Sequence, residues 1–335
     1  MPSLAGPKNS CSSCGKVCAP TAKLCRACHF ESIKPTPKPP AQPESIREPL
    51  ASYQEAEHRW DQAIGRTKKK IHRIPKRPTG RERVVVIPDI HAPFHEPDQL
   101  AYICEVEGPK CSKAICIGDV SDAYGFSVFT KNERVTFSEE WAAVTQVMAA
   151  IARSFHEVEI IIGNHDERLE KRLRERLSED MVEAVQYMSG GVLCPLTALA
   201  KQFPNVKVAR HRTPSGHTVD WFTTDGDVWL GHPQKFSRIP GNALRGVESY
   251  LLDNEYAMGL SRYKLICLGH THQLAKIPYR QSLLVEVGCI CKTQSYQTSP
   301  KLGGGQKRGF VWYEKENGQV DLNSVGMHWF DAEKK

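Results

Sequence analysis

Nowhere in its 335 residues does the chain carry a run approaching the ~20 apolar residues that a bilayer-spanning helix needs. The N-terminus also lacks the hydrophobic core of a signal peptide. The expectation is a soluble protein of the cytoplasm with no membrane partner. Two readings of the twelve cysteines weaken with that missing signal. A disulfide framework belongs to an oxidising compartment. Haem attachment at Cys25-Arg26-Ala27-Cys28-His29 needs export too, and it leaves Cys11 and Cys14 unexplained. No internal repeat is visible, so a repeat architecture is not expected.

What is there is enough for one large domain with accessories, since 40% of the residues are hydrophobic. The net charge of +7 is unevenly placed. Residues 1–83 carry 17 Lys/Arg against 7 Asp/Glu, whereas the rest of the chain carries 28 against 31. The basic excess therefore belongs to an N-terminal arm that could meet an acidic polymer.

The arm has three parts. In residues 1–30, Cys11-Ser12-Ser13-Cys14 and Cys25-Arg26-Ala27-Cys28 form two Cys-x-x-Cys knuckles ten residues apart. Four thiolates at that spacing suit one tetrahedral structural zinc, and so short a segment would depend on the metal to fold. The segment resembles the small zinc ribbons found at the ends of nucleic-acid enzymes, with Cys18 as a spare thiol. Residues 31–83 are a linker and basic arm. It opens proline-rich (Lys34-Pro35-Thr36-Pro37-Lys38-Pro39-Pro40), with a short helix expected within residues 50–65. It ends in a dense basic run that includes Lys68, Lys69, Lys70, Arg73, Lys76, Arg77, Arg81 and Arg83. Such a run is either a solvated tether or a salt-sensitive contact with a nucleic-acid backbone, and the neighbouring knuckles favour the contact.

From Val84 onward strands and helices alternate. Strands are expected at 84–88, 113–117 and 158–162, with helices over 98–107 and 139–155. Residues 166–203 look helical and highly charged, a solvated surface from which Arg168 could reach substrate. Beyond 205 the pattern turns strand-rich (206–211, 217–222, 228–232, 264–268, 273–279, 283–290, 309–314), with a helix at 241–252. This is an α/β layout, in which ligands gather at the carboxyl ends of strands. Five apolar runs end in metal-type side chains: Asp89-Ile90-His91, Gly118-Asp119-Val120-Ser121-Asp122, Gly163-Asn164-His165-Asp166, Gly231-His232 and Gly269-His270-Thr271-His272. On a strand, Asp89 and His91 would point the same way and could grip one ion together.

These five ordered blocks resemble the calcineurin-like metallophosphoesterase superfamily, over residues 84 to about 290. The tract from Gly118 through Phe126-Ser127-x-Phe129, Gly163-Asn164-His165-Asp166-Glu167-Arg168-Leu169 and the tail Val287-Gly288-Cys289-Ile290 are similar to the branch carried by bacteriophages, which would place the chain in a host cytoplasm. The resemblance implies an α/β/β/α sandwich of two mixed sheets over residues 84–335. It also implies phosphate-ester hydrolysis at a dinuclear metal centre by direct attack of metal-bound hydroxide. By the family pattern Asp89, His91 and His272 hold one ion and Asn164, His232 and His270 the other, with Asp119 bridging. The family more often has His-Gly where this chain has Gly231-His232, and His217 is the alternative there. His165 would be the transition-state stabiliser and general acid, oriented by Asp166, while Asp122 would support the ligands. His95, His156, His211 and His217 are read as ordinary surface or core histidines.

The donor set suits manganese first, then iron or zinc. The favoured substrate is nucleic acid or nucleotides, with nucleic acid as partner. A phosphoprotein phosphatase is the alternative, weakened because no second arginine-bearing motif of the Ser/Thr phosphatase type is evident. A nucleic-acid-binding module with an inactive esterase domain is the third reading, and the intact ligand set argues against it. Oligomeric state is not legible.

Overall fold

A computed structural model of the chain describes residues 9, 10, 12, 14, 17, 18, 81–127, 134–237, 239–293 and 305–330. The chain divides into two units, Met1–Leu50 and Ala51–Lys335. In the first, Asn9–Ser10 pairs antiparallel with Val17–Cys18, and the intervening Cys14 is exposed. Cys11, Cys25 and Cys28 lie outside the described residues, as do the linker and Lys68, Lys69, Lys70, Arg73, Lys76 and Arg77.

Alternating apolar residues decide the layers of the second unit. Strand β1 (Arg81–Ile87) buries Val84 and Val86 on one face and Val85 and Ile87 on the other. A strand with both faces apolar must be covered on both sides. It lies inside a six-stranded mixed sheet completed by β2 (Lys113–Cys116), β3 (Glu157–Ile160), β4 (Val206–Val208), β10 (Gly309–Glu316) and β11 (Gln319–Trp329), in the order β11-β10-β1-β2-β3-β4. The run β1-β2-β3-β4 is parallel, and β10 and β11 are antiparallel additions. A second mixed sheet holds β5 (Phe222–Asp225), β6 (Val228–Gly231), β7 (Leu265–Leu268), β8 (Leu274–Tyr279) and β9 (Ser282–Val287), in the order β8-β9-β7-β6-β5. Here β6, β7 and β9 are mutually parallel neighbours.

The two sheets face each other across one apolar core that includes Val84, Val86, Ile115, Ile117, Val228, Leu230, Leu265, Val285 and Val311. Helix α1 (Pro97–Tyr102, continued by a π-helical turn over Ile103–Glu107) and α2 (Phe137–Ser154) cover the outer face of the first sheet through Leu100, Ile103, Val144, Val147, Met148 and Ile151. The start of α2 is fixed by a capping box, in which Thr136 Oγ1 accepts the Glu139 N–H and Glu139 accepts the Thr136 N–H. Three further helices, α3 (Arg168–Arg176), α4 (Glu179–Met188) and α5 (Pro195–Ala200), fill the charged stretch expected to be helical. Helix α6 (Asn242–Asp253) covers the outer face of the second sheet through Leu244, Val247 and Leu251. The result is the expected four-layer α/β/β/α arrangement.

Three local expectations need correction. Strand β11 was not anticipated, because polar residues such as Asp321, Asn323 and Ser324 interrupt its alternation and the β10–β11 register shifts near Trp312. The 217–222 segment splits into a two-residue hairpin strand, Thr218–Val219, and the start of β5. Finally, β1 begins at Arg81, which removes Arg81 and Arg83 from the basic arm. Arg81 pairs with Glu314 at 2.7 Å and Arg83 with Glu107 at 2.7 Å.

Candidate metal centre

Every candidate ligand follows the carboxyl end of a parallel strand by no more than four residues. Asp89 and His91 follow β1, Asp119 follows β2 and Asn164 follows β3, while His232 follows β6 and His270 and His272 follow β7. The two sheets thus deliver their side chains to one point from opposite sides. The strand itself does not aim Asp89 and His91, contrary to the expectation from spacing: β1 ends at Ile87. Beyond it the Ile90 and His91 N–H groups both donate to the Asp119 carbonyl, at 3.0 and 2.8 Å. The turn leaves His91 at φ 52°, and Asp119, His270 and His272 have φ of 49°, 76° and 53°. Left-handed backbone at non-glycine residues costs about 1 kcal/mol or more each, so their concentration here marks a site held against local preference.

Two clusters share Asp119. In the first, His91 Nε2 lies 3.1 Å from His272 Nε2, and His272 Nε2 lies 3.4 Å from Asp89 Oδ1. In the second, Asn164 Oδ1 lies 3.2 Å from His232 Nε2 and 2.8 Å from His270 Nδ1. Asp119 Oδ2 stands between them, 3.6 Å from His91 Nε2 and 3.1 Å from His232 Nε2. His91, Asp119 and His232 are buried, and His232 is anchored from behind by Nδ1 against the Ile117 carbonyl at 2.8 Å. His217 instead lies in an exposed turn, so His232 is the histidine the fold presents. His156 is exposed and His211 faces the Met258 carbonyl at 2.6 Å, away from the site. His95 is buried, and its segment bridges to Cys291.

Space around the acids is kept by glycine. A Cβ on Gly163 would fall 2.1 Å from Asp119 Oδ1, and one on Gly118, at φ 99°, would fall 2.3 Å from His232 Nδ1.

The electrostatics ask for positive charge at this point. Burial alone would raise the Asp119 carboxyl, but His232, His165 and His91 outweigh it and hold Asp119 well below the ordinary value. Asp89 is lowered in the same way, with His232 and His272 opposing burial. Reciprocally, burial would lower His232, yet Asp119 and Asp89 push it up to about 10. His270, buried and beside His232, is lowered to about 4. Two anionic carboxylates attract either protons on imidazoles or cations. Three features favour cations. Two imidazole nitrogens face each other at 3.1 Å. An amide oxygen is aimed between two further imidazoles. Asp89 Oδ2 is buried without a hydrogen-bond partner among the described residues. Buried polar atoms are rarely left so, and an ion would give that oxygen a partner while taking up the converging nitrogen and amide donors.

His165 lies beside both clusters. Its backbone N–H donates to Asp119 Oδ1 at 2.8 Å, and its Nε2 is 3.9 Å from Asp119 Oδ2. The group that orients its ring is Asp122, whose Oδ1 and carbonyl oxygen lie 3.1 and 3.0 Å from Nδ1. The expectation that Asp166 does this is corrected. The Asp166 carboxylate accepts instead from the Ser121 N–H and hydroxyl at 2.9 and 2.8 Å and from the Gly163 N–H at 3.0 Å. It ties the loop after β2 to the loop after β3. Asp122 also touches His91 Nδ1 at 2.9 Å, so one carboxylate fixes both rings. Of two further contributors, Arg168 was expected only as a residue that could reach substrate, and Cys291 escaped the sequence reading. Arg168, at the start of α3, donates to the Asp122 carbonyl at 2.7 Å and lies 2.8 Å from His165 Nε2. Cys291, after β9, has its sulfur grouped with His91 and His272. The signal for Cys291 was present, since it too lies just past a strand end.

Two carboxylates, an amide and converging imidazoles at strand ends thus form two adjacent clusters able to hold metal ions. The chain belongs to the calcineurin-like phosphoesterase family, whose pattern it matches over residues 82–274. It is therefore a phosphoesterase of a dinuclear-metal-dependent family. No curated protein matches the chain. Among solved structures it is similar to an archaeal phosphodiesterase, at 11% identity over 74% of this chain and 99% of that one, with a TM-score of 0.37. It is also similar to Vps29 from Entamoeba histolytica complexed with zinc, at 14% identity, 74% and 99% coverage and a TM-score of 0.34. A third is phosphopantetheinyl hydrolase from Mycobacterium tuberculosis, at 12% identity, 63% and 91% coverage and a TM-score of 0.29. At these scores the likenesses add nothing to the family assignment. Among the described residues no helix is long and apolar enough to cross a membrane.

Proposed function

We propose that the chain hydrolyses phosphodiester bonds of nucleic acid or nucleotides. The observation that carries this reading is a cavity of about 420 Å3 opening directly from the metal centre. Asn164 and His232 line it beside the candidate metal ligands, and Trp221, Tyr250, Lys235 and the acidic Glu167 are among the other lining residues. A phosphate at the metals would leave its organic substituent against Trp221 and Tyr250, and base–aromatic stacking is the interaction such a wall offers. Lys235 adds a cation for a neighbouring phosphate. The cysteine knuckles at Cys11, Cys14, Cys25 and Cys28, read as a structural zinc, and the basic arm through Lys68, Lys69, Lys70, Arg73, Lys76 and Arg77 would add polymer contacts.

Asp89, His91 and His272 would hold one divalent ion and Asn164, His232 and His270 the other, with Asp119 available to both. From the carboxylate, amide and imidazole donors alone, manganese is the first expectation. When bound, the ions supply an acidified water as nucleophile and offset charge on the phosphoryl oxygens. His165 protonates the leaving oxygen from Nε2, while Asp122 at Nδ1 holds the ring and stabilises its cationic form. Because Arg168 lies 2.8 Å from that Nε2, a substrate phosphoryl oxygen must first draw the guanidinium to itself. An Nε2 that accepts the guanidinium N–H carries no proton, so once Arg168 has moved to the phosphoryl oxygen that nitrogen takes a proton from solvent before it can serve as the acid.

A side-by-side assay of single-stranded DNA, duplex DNA, RNA, a phosphopeptide and the mono- and bis-p-nitrophenyl phosphates tests this, with His165→Ala as control. Turnover of nucleic acid and the bis-ester, with KM raised by Trp221→Ala, is expected. Preference for phosphopeptide and mono-ester would make it a phosphatase, and DNA retention without turnover would make it a binding module.

A further inference from the structure

Six parallel strands end at the metal centre, three from each sheet, and the ligands above account for five of them. The sixth, β9, runs into Gly288-Cys289-Ile290-Cys291. Cys291 is fully buried, and its sulfur and one ring nitrogen each of His91 and His272 all lie within 4.8 Å of one another. Its backbone is pinned directly to the loop that carries Asp89 and His91. Ile290 donates to the Asp89 carbonyl at 3.1 Å, Glu96 donates to the Ile290 carbonyl at 2.8 Å, and Lys292 donates to the Phe94 carbonyl at 2.7 Å. The side-chain amide of Gln306 lies 3.0 Å from the Cys291 sulfur, where it can donate to a thiolate. A structural buried cysteine sits among apolar side chains. This one lies beside two imidazoles whose ring nitrogens approach to 3.1 Å, with the Cys289 thiol as a further polar neighbour.

We infer that Cys291 supplies a sulfur ligand to the ion held by Asp89, His91 and His272, an assignment that rests on the dinuclear reading of the site. On binding, the thiol proton leaves to solvent and the thiolate lone pair forms the bond to the cation. A thiolate is soft, so this position favours zinc, iron(II) or cobalt(II) over manganese or magnesium. The position formed by Asn164, His232 and His270 offers only nitrogen and oxygen. The two positions are therefore chemically unequal, and the centre selects a mixed pair with the softer ion on the Cys291 side. The Gln306 amide tunes the sulfur as an outer partner.

Cadmium NMR of the full-length chain, stripped with chelator and reloaded with cadmium, tests this directly, because the cadmium shift moves strongly downfield with each sulfur ligand. Any four-thiolate signal from the N-terminal knuckles falls furthest downfield and is resolved from the rest. The expected spectrum has two further signals, one in the nitrogen–oxygen range and one displaced downfield by a single sulfur. Cys291→Ser should return the displaced signal to the nitrogen–oxygen range, and Cys289→Ser should leave it in place. Two wild-type signals both in the nitrogen–oxygen range would overturn the assignment even if Cys291→Ser fails to fold. A displaced signal that answers to Cys289→Ser instead would also overturn it. Absence of any signal outside the knuckles would overturn the dinuclear reading itself, and the sulfur ligand with it.

Discussion

The Asp122 carboxylate lies 3.1 Å from Nδ1 of His165, with the Asp122 carbonyl oxygen 3.0 Å from the same nitrogen. A ring held at Nδ1 presents Nε2 toward the reacting phosphate. Burial would raise the Asp122 carboxyl, but its bonds to His165 and His91 outweigh that and keep it below the ordinary value, hence anionic at neutral pH. Removing the acid by His165→Ala should lower kcat by about 10²–10⁴-fold on substrates with poor leaving groups. On the bis-p-nitrophenyl ester, whose leaving group needs little protonation, the loss should be clearly smaller. Asp122→Asn keeps the shape but weakens the hold on both rings, and should cost about 10–100-fold. Equal losses on both ester types for His165→Ala would rule out the acid role.

Much of this centre was legible before any coordinates because each apolar run ends in chemistry. Val84 to Ile87 announce a buried strand by composition alone, and Asp89, Asp119, Asn164, His232 and His270 each follow such a run. What could not be read was how the loops after the strands cross. The adjacency of Asp166 to His165 in sequence suggested a pair, yet a tight turn points the carboxylate back at Ser121 and Gly163. Asp122, more than forty residues earlier, reaches His165 because the Asp119–Asp122 loop folds over it. The final strand was hidden for a different reason. Its polar residues face solvent or neighbouring side chains at the edge of the sheet, so no continuous apolar run of the kind that marks β1 announces it.

Gly163 gives a steric test of the shared carboxylate. A methyl group there would overlap Asp119 Oδ1 and the Asp119 backbone nitrogen, at 2.1 and 2.2 Å. Neither can retreat, since Asp119 is buried and its Oδ1 already accepts the His165 N–H. Gly163→Ala should therefore strip the catalytic metals, with elemental analysis showing their loss relative to wild type and hydrolysis falling in parallel. Full metal content with full activity in this variant would show that Asp119 is not shared between two ions.

The other end of the strands offers a contrast between stability and chemistry. Asp225 receives the Lys315 ammonium at 2.7 Å and the Tyr313 hydroxyl at 2.6 Å, with Lys113 at 3.6 Å. Lys113 opens β2 and Asp225 closes β5, so this network joins the two sheets far along the strands from the metal centre. Asp225→Asn removes one anion but leaves Lys113 with Glu159 at 2.6 Å and Lys315 with Glu82 at 3.3 Å. Because those carboxylates remain, the cost is that of lost charged hydrogen bonds, about 1.5–3 kcal/mol, and not that of an uncompensated buried charge. Denaturant melts should show that loss, while the folded fraction keeps its metal content and its KM. A loss below about 1 kcal/mol would mean that water already satisfies the lysines.

Glu140 makes stability depend on pH in an unusual direction. It sits in α2 with its carboxylate buried and accepting the Tyr124 N–H at 3.0 Å. Burial, aided by the charge of Asp122, pushes its pKa up from 4.5 to about 7, against the bonds from backbone N–H groups that lower it. The folded chain therefore holds this proton more tightly than the unfolded chain does. Below about pH 4.5 both states are protonated and the group costs nothing. Between about 4.5 and 7 the unfolded chain ionises first, so stability falls as pH rises, and above about 7 the cost is complete. A shift of this size corresponds to about 3 kcal/mol at most. Glu140→Gln keeps an acceptor for Tyr124 and removes the titration. The difference in unfolding free energy between variant and wild type should be near zero or unfavourable to the variant at pH 4.5, and should grow in its favour up to about pH 7. Denaturant unfolding followed across that range checks it, and a difference that does not change with pH would mean that Glu140 is ionised throughout.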